Sequence, residues 1–514
     1  MARDLAAIVY TDRIKLPKYR SPVKTPLSVL DATTQGRPPT SIIWFFKRPQ
    51  NFQDADEAVE RNIDCLKDSL AHTIREGYPQ CCGFLKIVDR NPRSDPVPPT
   101  FLPHARRNGR IYYEYGTRDD PGVEVLVVKS TKSLVNLPPD GYPNKSSMWI
   151  RSEAMIRSFL PPTKLSSGVA MRGYNTTGPL MAVQVTKTAC GGLVIAINSA
   201  HPLADTLSLA CFASDWAENN RRLLCDMIPP TMKPHFDPSQ LDTLASGDIN
   251  VNESNADLVR QAASLPLSPY TAADTPTASA GISFPHRLDK SIASCSIYLT
   301  AAQVLSLCKE AAGNHLGRLI IGDIVSAHIW SCVDRARGLG SAKLPSRCEF
   351  EMDARAILGL SDDFAGSPTL RLAIQSPAAT VSVEDKWTYK APRLRAAFNA
   401  VFAPGGLGSH LHSLAFAERP PRLLESPIGV YSTALTWAPT ALYEADFGFD
   451  SEVKYVGEWR RPSMAMWLSM KSLHPQGPLT WRLLCICPPT LCATCSRIRC
   501  SFLPLKNNCD HRGI

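Results

Sequence analysis

The sequence predicts an α/β protein made of two units joined by a long connection. Short apolar, β-branched runs alternate with segments of helical period in both halves of the chain. Between them, residues 228–290 turn to Pro, Ser, Thr, Ala and Asp with little periodicity, the composition of a crossover linker. A chain of 514 residues, 44% hydrophobic and 20% charged, is ample for two buried cores. The expected division is therefore 1–227, linker 228–290, second unit 291–480, and an atypical Cys-rich tail at 481–514.

In the first unit, residues 41–46 (SIIWFF) read as a strand, and residues 55–73 as a helix with Val59, Ile63, Leu66 and Leu70 on one face. Strands follow at 111–115 and 123–128. Residues 180–186 and 193–199 read as a hairpin across Cys190, Gly191 and Gly192. Residues 193–197 are almost continuously apolar, which suits a strand buried on both faces. Pro202 ends its ladder, and Asp205 or Thr206 can cap the amphipathic helix that runs on to Cys225. The second unit opens with a strand at 294–299, where Thr300 and Gln303 form a capping box for a helix stopped by Gly313. A helix at 323–338 and a strand at 348–354 come next.

The turn after residue 199 is where chemistry is expected. A histidine at the end of a buried strand, His201, is held by its backbone and can be aimed into a cleft as a general base. His-x-x-x-Asp alone is a weak signal, because a histidine after a strand is more often a satisfied structural residue.

Charge and composition narrow the function classes. The net charge of +9 is modest and its Lys and Arg are dispersed, which argues against nucleic acid or a membrane as partner and fits an anionic small substrate. No run of 18 uncharged apolar residues occurs, and Arg3, Asp4, Asp12 and Arg13 sit where a signal peptide needs an apolar core. A cytoplasmic location is expected, in which the sequons at Asn144, Asn175 and Asn252 have no role. Ten of the 16 cysteines read as reduced core thiols.

Three separated segments carry a resemblance: PLMAVQVTKTACGGLVIAINSAHPLAD, SAHIWSCVDRAR and TWAPTALYEADFGFD. Together they resemble the BAHD family of CoA-dependent acyltransferases, in particular its fungal branch of trichothecene acetyltransferase-like enzymes, over about residues 25–460. The resemblance implies two chloramphenicol-acetyltransferase-like domains with a channel between them. It implies His201 as general base, acyl-CoA as co-substrate with no permanently bound cofactor or metal, and a small lipophilic hydroxylated acceptor, in a monomer. It also implies a structural ion pair between Asp205 and Arg355, the arginine of MDARAILGL; a plain helix cap is the other reading of Asp205. Thr436 and Trp437 match a pair whose side chains can donate hydrogen bonds near the developing oxyanion, the packed-core reading of Trp437 being the alternative. Asp446, Phe447 and Gly448 match a second, structural motif; the kinase reading of Asp-Phe-Gly lacks every companion loop. Charge clustering after SAHIW makes Arg335, Arg337, Lys343 and Arg347 candidates for the CoA phosphates, against the reading of a solvated face.

Departures from the family pattern matter as well. Thr206 replaces a glycine, Phe449 and Asp450 replace Trp and Gly, and Ala200 stands where condensation domains carry a second histidine. A catalytically impaired homologue that only binds CoA or metabolite is the alternative function, whereas a serine hydrolase lacks a Gly-x-Ser-x-Gly elbow. After about Arg461 the periodicity stops, and Cys485, Cys487, Cys492, Cys495, Cys500 and Cys509 crowd the end without the spacing of a closed zinc site. That stretch reads as translation past a splice or frame junction, which would leave the second sheet with an exposed edge.

Overall fold

The computed structural model describes residues 7–17, 21–48, 55–88, 97–134, 148–151, 153–166, 177–232, 237, 241, 254–268, 270–272, 293–299, 301–313, 319–336, 339, 345–376, 387–423, 432–437, 440–449, 453–458, 465–472 and 479–487. Among them, two large sheets carry the fold. The first has the strand order Ala7–Ile14, Val123–Lys129, Met181–Lys187, Leu193–Ser199, Thr40–Phe46, Val453–Glu458. All its pairs are antiparallel except Val123–Lys129 with Met181–Lys187.

Its inner strands Thr40–Phe46 and Leu193–Ser199 are buried at every position. Side chains alternate across a sheet, so two cores form. Ile42, Trp44, Phe46, Leu193, Ile195 and Ile197 face one of them, which is filled from the helices Ala55–Gly77 and Thr206–Leu224. Ile43, Phe45, Val194 and Ala196 face the other, against Ile156 and Phe159. Val59, Ile63, Leu66 and Leu70 are buried on one helical face as their spacing predicts, and Ile74 extends it. The hairpin turn needs a glycine, since Gly191 has φ +80°.

The second sheet has the order Thr369–Ser376, Ser346–Asp353, Ser432–Trp437, Ala465–Ser472, Leu479–Cys487, Ala293–Leu299, Met148–Arg151. The helices Ile321–Ala336 and Trp387–Phe402 pack on it through Trp330, Val325 and Leu394, against Phe350, Leu372 and Leu435.

Three features depart from the sequence reading. Each unit supplies an edge strand to the other: Val453–Glu458 pairs with Thr40–Phe46 of the first sheet, and Met148–Arg151 pairs with Ala293–Leu299 of the second. Periodicity marks a strand but not the sheet it joins, and a four-residue strand has hardly any period to detect. The linker 228–290 holds the helix Ala256–Ala263, whose Asn255 cap accepts hydrogen bonds from the Asp257 and Leu258 amides, and a short strand Tyr270–Ala272 paired with Pro421–Leu423.

The expectation for the residues after Arg461 is overturned at Ala465–Ser472 and Leu479–Cys487; the rest of that stretch lies outside the described residues. Ala465–Ser472 and Leu479–Cys487 are inner strands of the second sheet, the latter paired on to Ala293–Leu299, so this stretch completes the sheet instead of exposing its edge. Met466, Leu468 and Met470 alternate with Trp467, Ser469 and Lys471, a period-2 signal that the cysteine and proline enrichment further on outweighed in the sequence reading. Cys485 and Cys487 belong to the last of these strands, while Cys492, Cys495, Cys500, Cys509 and the Thr300 capping box lie outside the described residues. No helix among the described residues is long and apolar enough to cross a membrane.

Candidate active site

His201 follows the strand Leu193–Ser199 on a turn that is tied down at each step. The Ala200 amide donates to the Leu180 carbonyl at 2.8 Å, the Leu203 amide returns to the Ala200 carbonyl at 2.9 Å, and the Tyr113 hydroxyl donates to the Pro202 carbonyl at 2.9 Å. His201 is only 7% exposed. Its Nδ1 lies 3.1 Å from Oγ of Ser367, contributed by the loop that precedes the strand Thr369–Ser376.

Asp205 caps the helix Thr206–Leu224 and also makes an ion pair, so both sequence readings of it hold. Its Oδ1 accepts the Ser208 amide at 2.8 Å, while Arg355 grips both carboxylate oxygens, Nη1 to Oδ2 at 2.8 Å and Nη2 to Oδ1 at 3.1 Å. Arg355 is fully buried, and it also donates to Asp353, the Phe364 carbonyl and Ser208 Oγ. Burial works against its charge, but the Asp205 and Asp353 carboxylates outweigh that and raise its pKa. Burial likewise pushes the Asp353 carboxyl up, with Arg355 pulling it back. The pair also holds the Ser367 loop: the Asp205 amide and Ser208 Oγ both donate to the Gly366 carbonyl, at 3.0 and 2.7 Å.

His201 opens onto a cavity of about 430 Å³ formed by both units, in which Phe350, Leu394, Phe398, Phe402 and Thr436 also take part. The carboxylates on its wall are paired with arginines. Asp323 is held by Arg395 through two contacts of 2.8 Å. The hydroxyl of Ser326 is buried on the cavity wall without a hydrogen-bond partner among the described residues. Thr436 reaches the cavity from an inner strand, where it sits in register between Glu351 and Trp467. Trp437 is the next residue of that strand, and its side chain lies outside the described set.

The Asp446–Gly448 segment does not line this cavity. Phe447 is fully buried against Phe46, Trp216 and Phe449, and Asn220 donates to its carbonyl at 2.7 Å. Asp446 is exposed; its backbone carbonyl accepts from Arg221 at 2.8 Å and its carboxylate from the Gly448 amide at 2.9 Å. Gly448 has φ +76°, and an added Cβ would come within 2.9 Å of Arg221 Cγ. Arg221 is half-exposed and can shift, so the backbone sets the cost: Gly448→Ala is expected to destabilise by about 1–2 kcal/mol. Melting and turnover measured together check this, with turnover per folded molecule expected to stay unchanged.

Of the basic candidates, Arg335 ends the helix Ile321–Ala336, exposed, with a contact to Cys332 Sγ at 3.1 Å, and Arg347 is paired with Glu349 at 2.8 Å. Neither lines the His201 cavity. Arg337 and Lys343 lie outside the described residues.

Sequence reasoning missed Ser367, Ser208, Asp353 and Asp31. Asp31 is fully buried in the short helix Val29–Thr33, and its Oδ1 accepts the Ser367 amide at 2.6 Å. The Ser28-x-x-Asp31 spacing is a helix-start signal that could have drawn attention to it; Ser367 has none.

An acyltransferase of Alternaria alternata, AFT15-1, is 23% identical over 364 residues, covering 64% of this chain and 64% of that protein. Rosmarinate synthase of Plectranthus scutellarioides is 26% identical over 317 residues, covering 59% and 65%. The chain thus spans just under two thirds of the length of these curated relatives. The crystal structure of F. graminearum TRI101 complexed with coenzyme A and deoxynivalenol matches with a TM-score of 0.59 over 93% of this chain and 97% of that one, at 16% identity. At that identity the likeness shows the fold, the two-domain chloramphenicol-acetyltransferase type. The model of the Transferase family matches residues 155–474, more than half of the sequence, and the chain accordingly belongs to that family, the BAHD acyltransferases.

Proposed function

We propose that the protein is an acyl-CoA-dependent O-acyltransferase that moves an acetyl group to a hydroxyl of a lipophilic fungal secondary metabolite, acting as a cytoplasmic monomer. The observation that carries this reading is His201, buried at a strand end and opening onto a largely apolar cavity shared by the two units. Its Nδ1 contact with Ser367 Oγ leaves a defined reaction: Nδ1–H donates to the serine and Nε2 serves as the base. Nε2 takes the proton of the acceptor hydroxyl as that oxygen attacks the thioester carbonyl. When the tetrahedral intermediate collapses, the C–S bond breaks and the CoA thiolate receives the proton from Nε2. No covalent acyl-enzyme forms. Thr436, on the same cavity, can donate to the oxyanion. The phenylalanines keep water from competing with the acceptor.

That TRI101 was crystallised with coenzyme A and with deoxynivalenol or T-2 mycotoxin supports a CoA thioester as donor and a small-molecule acceptor. The test is incubation with acetyl-CoA and fractionated metabolite extracts, reading free thiol and a mass gain of one acetyl group. CoA binding without thiol release in any fraction would favour the impaired, binding-only homologue.

The CoA phosphates are proposed to meet Arg335, Arg337 and Lys343, with Arg347 committed to Glu349. Reversing the three charges one at a time is expected to raise the KM for acetyl-CoA at low salt by about 3–10-fold each and to leave kcat unchanged. An unchanged KM would place the phosphates elsewhere.

A further inference from the structure

We propose that Asp31 is a positioning residue for His201, acting through the amide and hydroxyl of Ser367; the inference rests on the general-base reading above. Asp31 lies in the first unit, in the helix Val29–Thr33, and its amide donates to the Ser28 cap at 3.1 Å. Its carboxyl is fully buried and makes one strong bond to the second unit, from the Ser367 amide to Oδ1 at 2.6 Å. Oδ2 has no hydrogen-bond partner among the described residues. The loop is shaped to receive this carboxyl: a Cβ on Gly366 would lie 3.0 and 3.1 Å from its two oxygens. The residue so gripped, Ser367, is the one whose Oγ lies 3.1 Å from His201 Nδ1. Asp31, Ser367 and His201 therefore form a continuous connection between the units.

A buried carboxylate without its own counter-ion is costly, and it ionises only to the extent that hydrogen bonds and nearby cations offset its burial. Facing Asp31 are Arg355, which attracts it, Asp205, which repels it, and the hydroxyl of Tyr113; Arg355 is already shared between Asp205 and Asp353. Burial pushes the Asp31 carboxyl up to about 7, against the pull of Ser28, the Ser367 amide and Arg355. When it ionises, the bond to the Ser367 amide becomes charge-assisted, and a negative charge lies behind the serine that accepts Nδ1–H. Both effects favour the imidazolium that His201 becomes as it takes the acceptor proton. Two protons must then leave before the enzyme is fully active, one from His201 and one from Asp31, so the acid limb of log kcat against pH is expected to be steeper than unit slope.

The test compares wild type, Asp31→Asn, Ser367→Ala and His201→Ala. Asp31→Asn keeps the shape and an acceptor for the Ser367 amide but cannot ionise. It is expected to lower kcat about tenfold with the KM for acetyl-CoA unchanged, and to reduce the acid limb to unit slope. The imidazole ¹⁵N shifts of His201, assigned by their loss in His201→Ala, are expected to move in both Asp31→Asn and Ser367→Ala. Folded variants with wild-type ¹⁵N shifts and an unchanged slope would overturn the proposal. Should Asp31→Asn not fold, unmoved ¹⁵N shifts in Ser367→Ala would do so by themselves. If His201→Ala kept full transfer, the general-base reading would fail, while the ¹⁵N shifts would still report whether Asp31 acts on His201.

Discussion

His201→Ala is expected to lower turnover by about 10²-fold or more and to leave the fold intact. Under the proposed mechanism the imidazole takes the hydroxyl proton and returns it to the thiolate, and the carboxylates that line the cavity among the described residues are otherwise engaged. Asp205 and Asp353 are engaged by Arg355, Asp323 by Arg395, and Glu351 by Arg37 and Arg371. Removing the imidazole leaves the backbone turn in place, because the Ala200 amide, the Leu203 amide and the Pro202 carbonyl hold it without the side chain. Melting temperature and turnover read on one preparation separate the effects. Normal acyl transfer by a pure, folded variant would remove His201 from the mechanism.

Asp205→Ala is expected to act first on stability, by about 3 kcal/mol or more. The substitution strips the fully buried Arg355 of two of its contacts, at 2.8 and 3.1 Å, and leaves Asp353 as its remaining ion-pair partner among the described residues. It also removes the carboxylate that caps the helix Thr206–Leu224, a loss of about 1 kcal/mol by itself. Because Arg355, once it loses the Asp205 carboxylate, is less firmly held where it donates to the Phe364 carbonyl and Ser208 Oγ, the loop carrying Ser367 loosens and turnover falls in second place. Calorimetry beside a rate assay checks the order of these effects. Full thermal stability with lost turnover would instead make Asp205 a direct participant in the chemistry.

Much of the site was legible because its residues sit on strong local signals. His201 follows a strand that is apolar at nearly every position, and Asp205 stands where a helix cap is needed, so their places follow from periodicity and capping. Arg355 and Thr436 came from resemblance alone, since nothing local says that an arginine 150 positions on from Asp205 will meet it. Ser367 and Asp31 were illegible for a related reason. Both belong to short, irregular surroundings, and their meaning lies in contacts across 336 positions of sequence. The fold shows the same contrast. The strands at 41–46 and 193–199 were readable from burial on both faces, whereas the exchange of edge strands is a matter of pairing that composition does not encode. The strands Ala465–Ser472 and Leu479–Cys487 were missed because enrichment in cysteine and proline was weighted above the alternation in the first of them.

The most direct measurement is the stoichiometry of one reaction: purified protein, acetyl-CoA and an acceptor alcohol, with free CoA thiol and acetylated product quantified together. Direct transfer through His201 requires one acetyl ester for each thiol released, and both products falling together by about 10²-fold or more in His201→Ala. Thiol released without ester, or ester formed equally by His201→Ala, would contradict it.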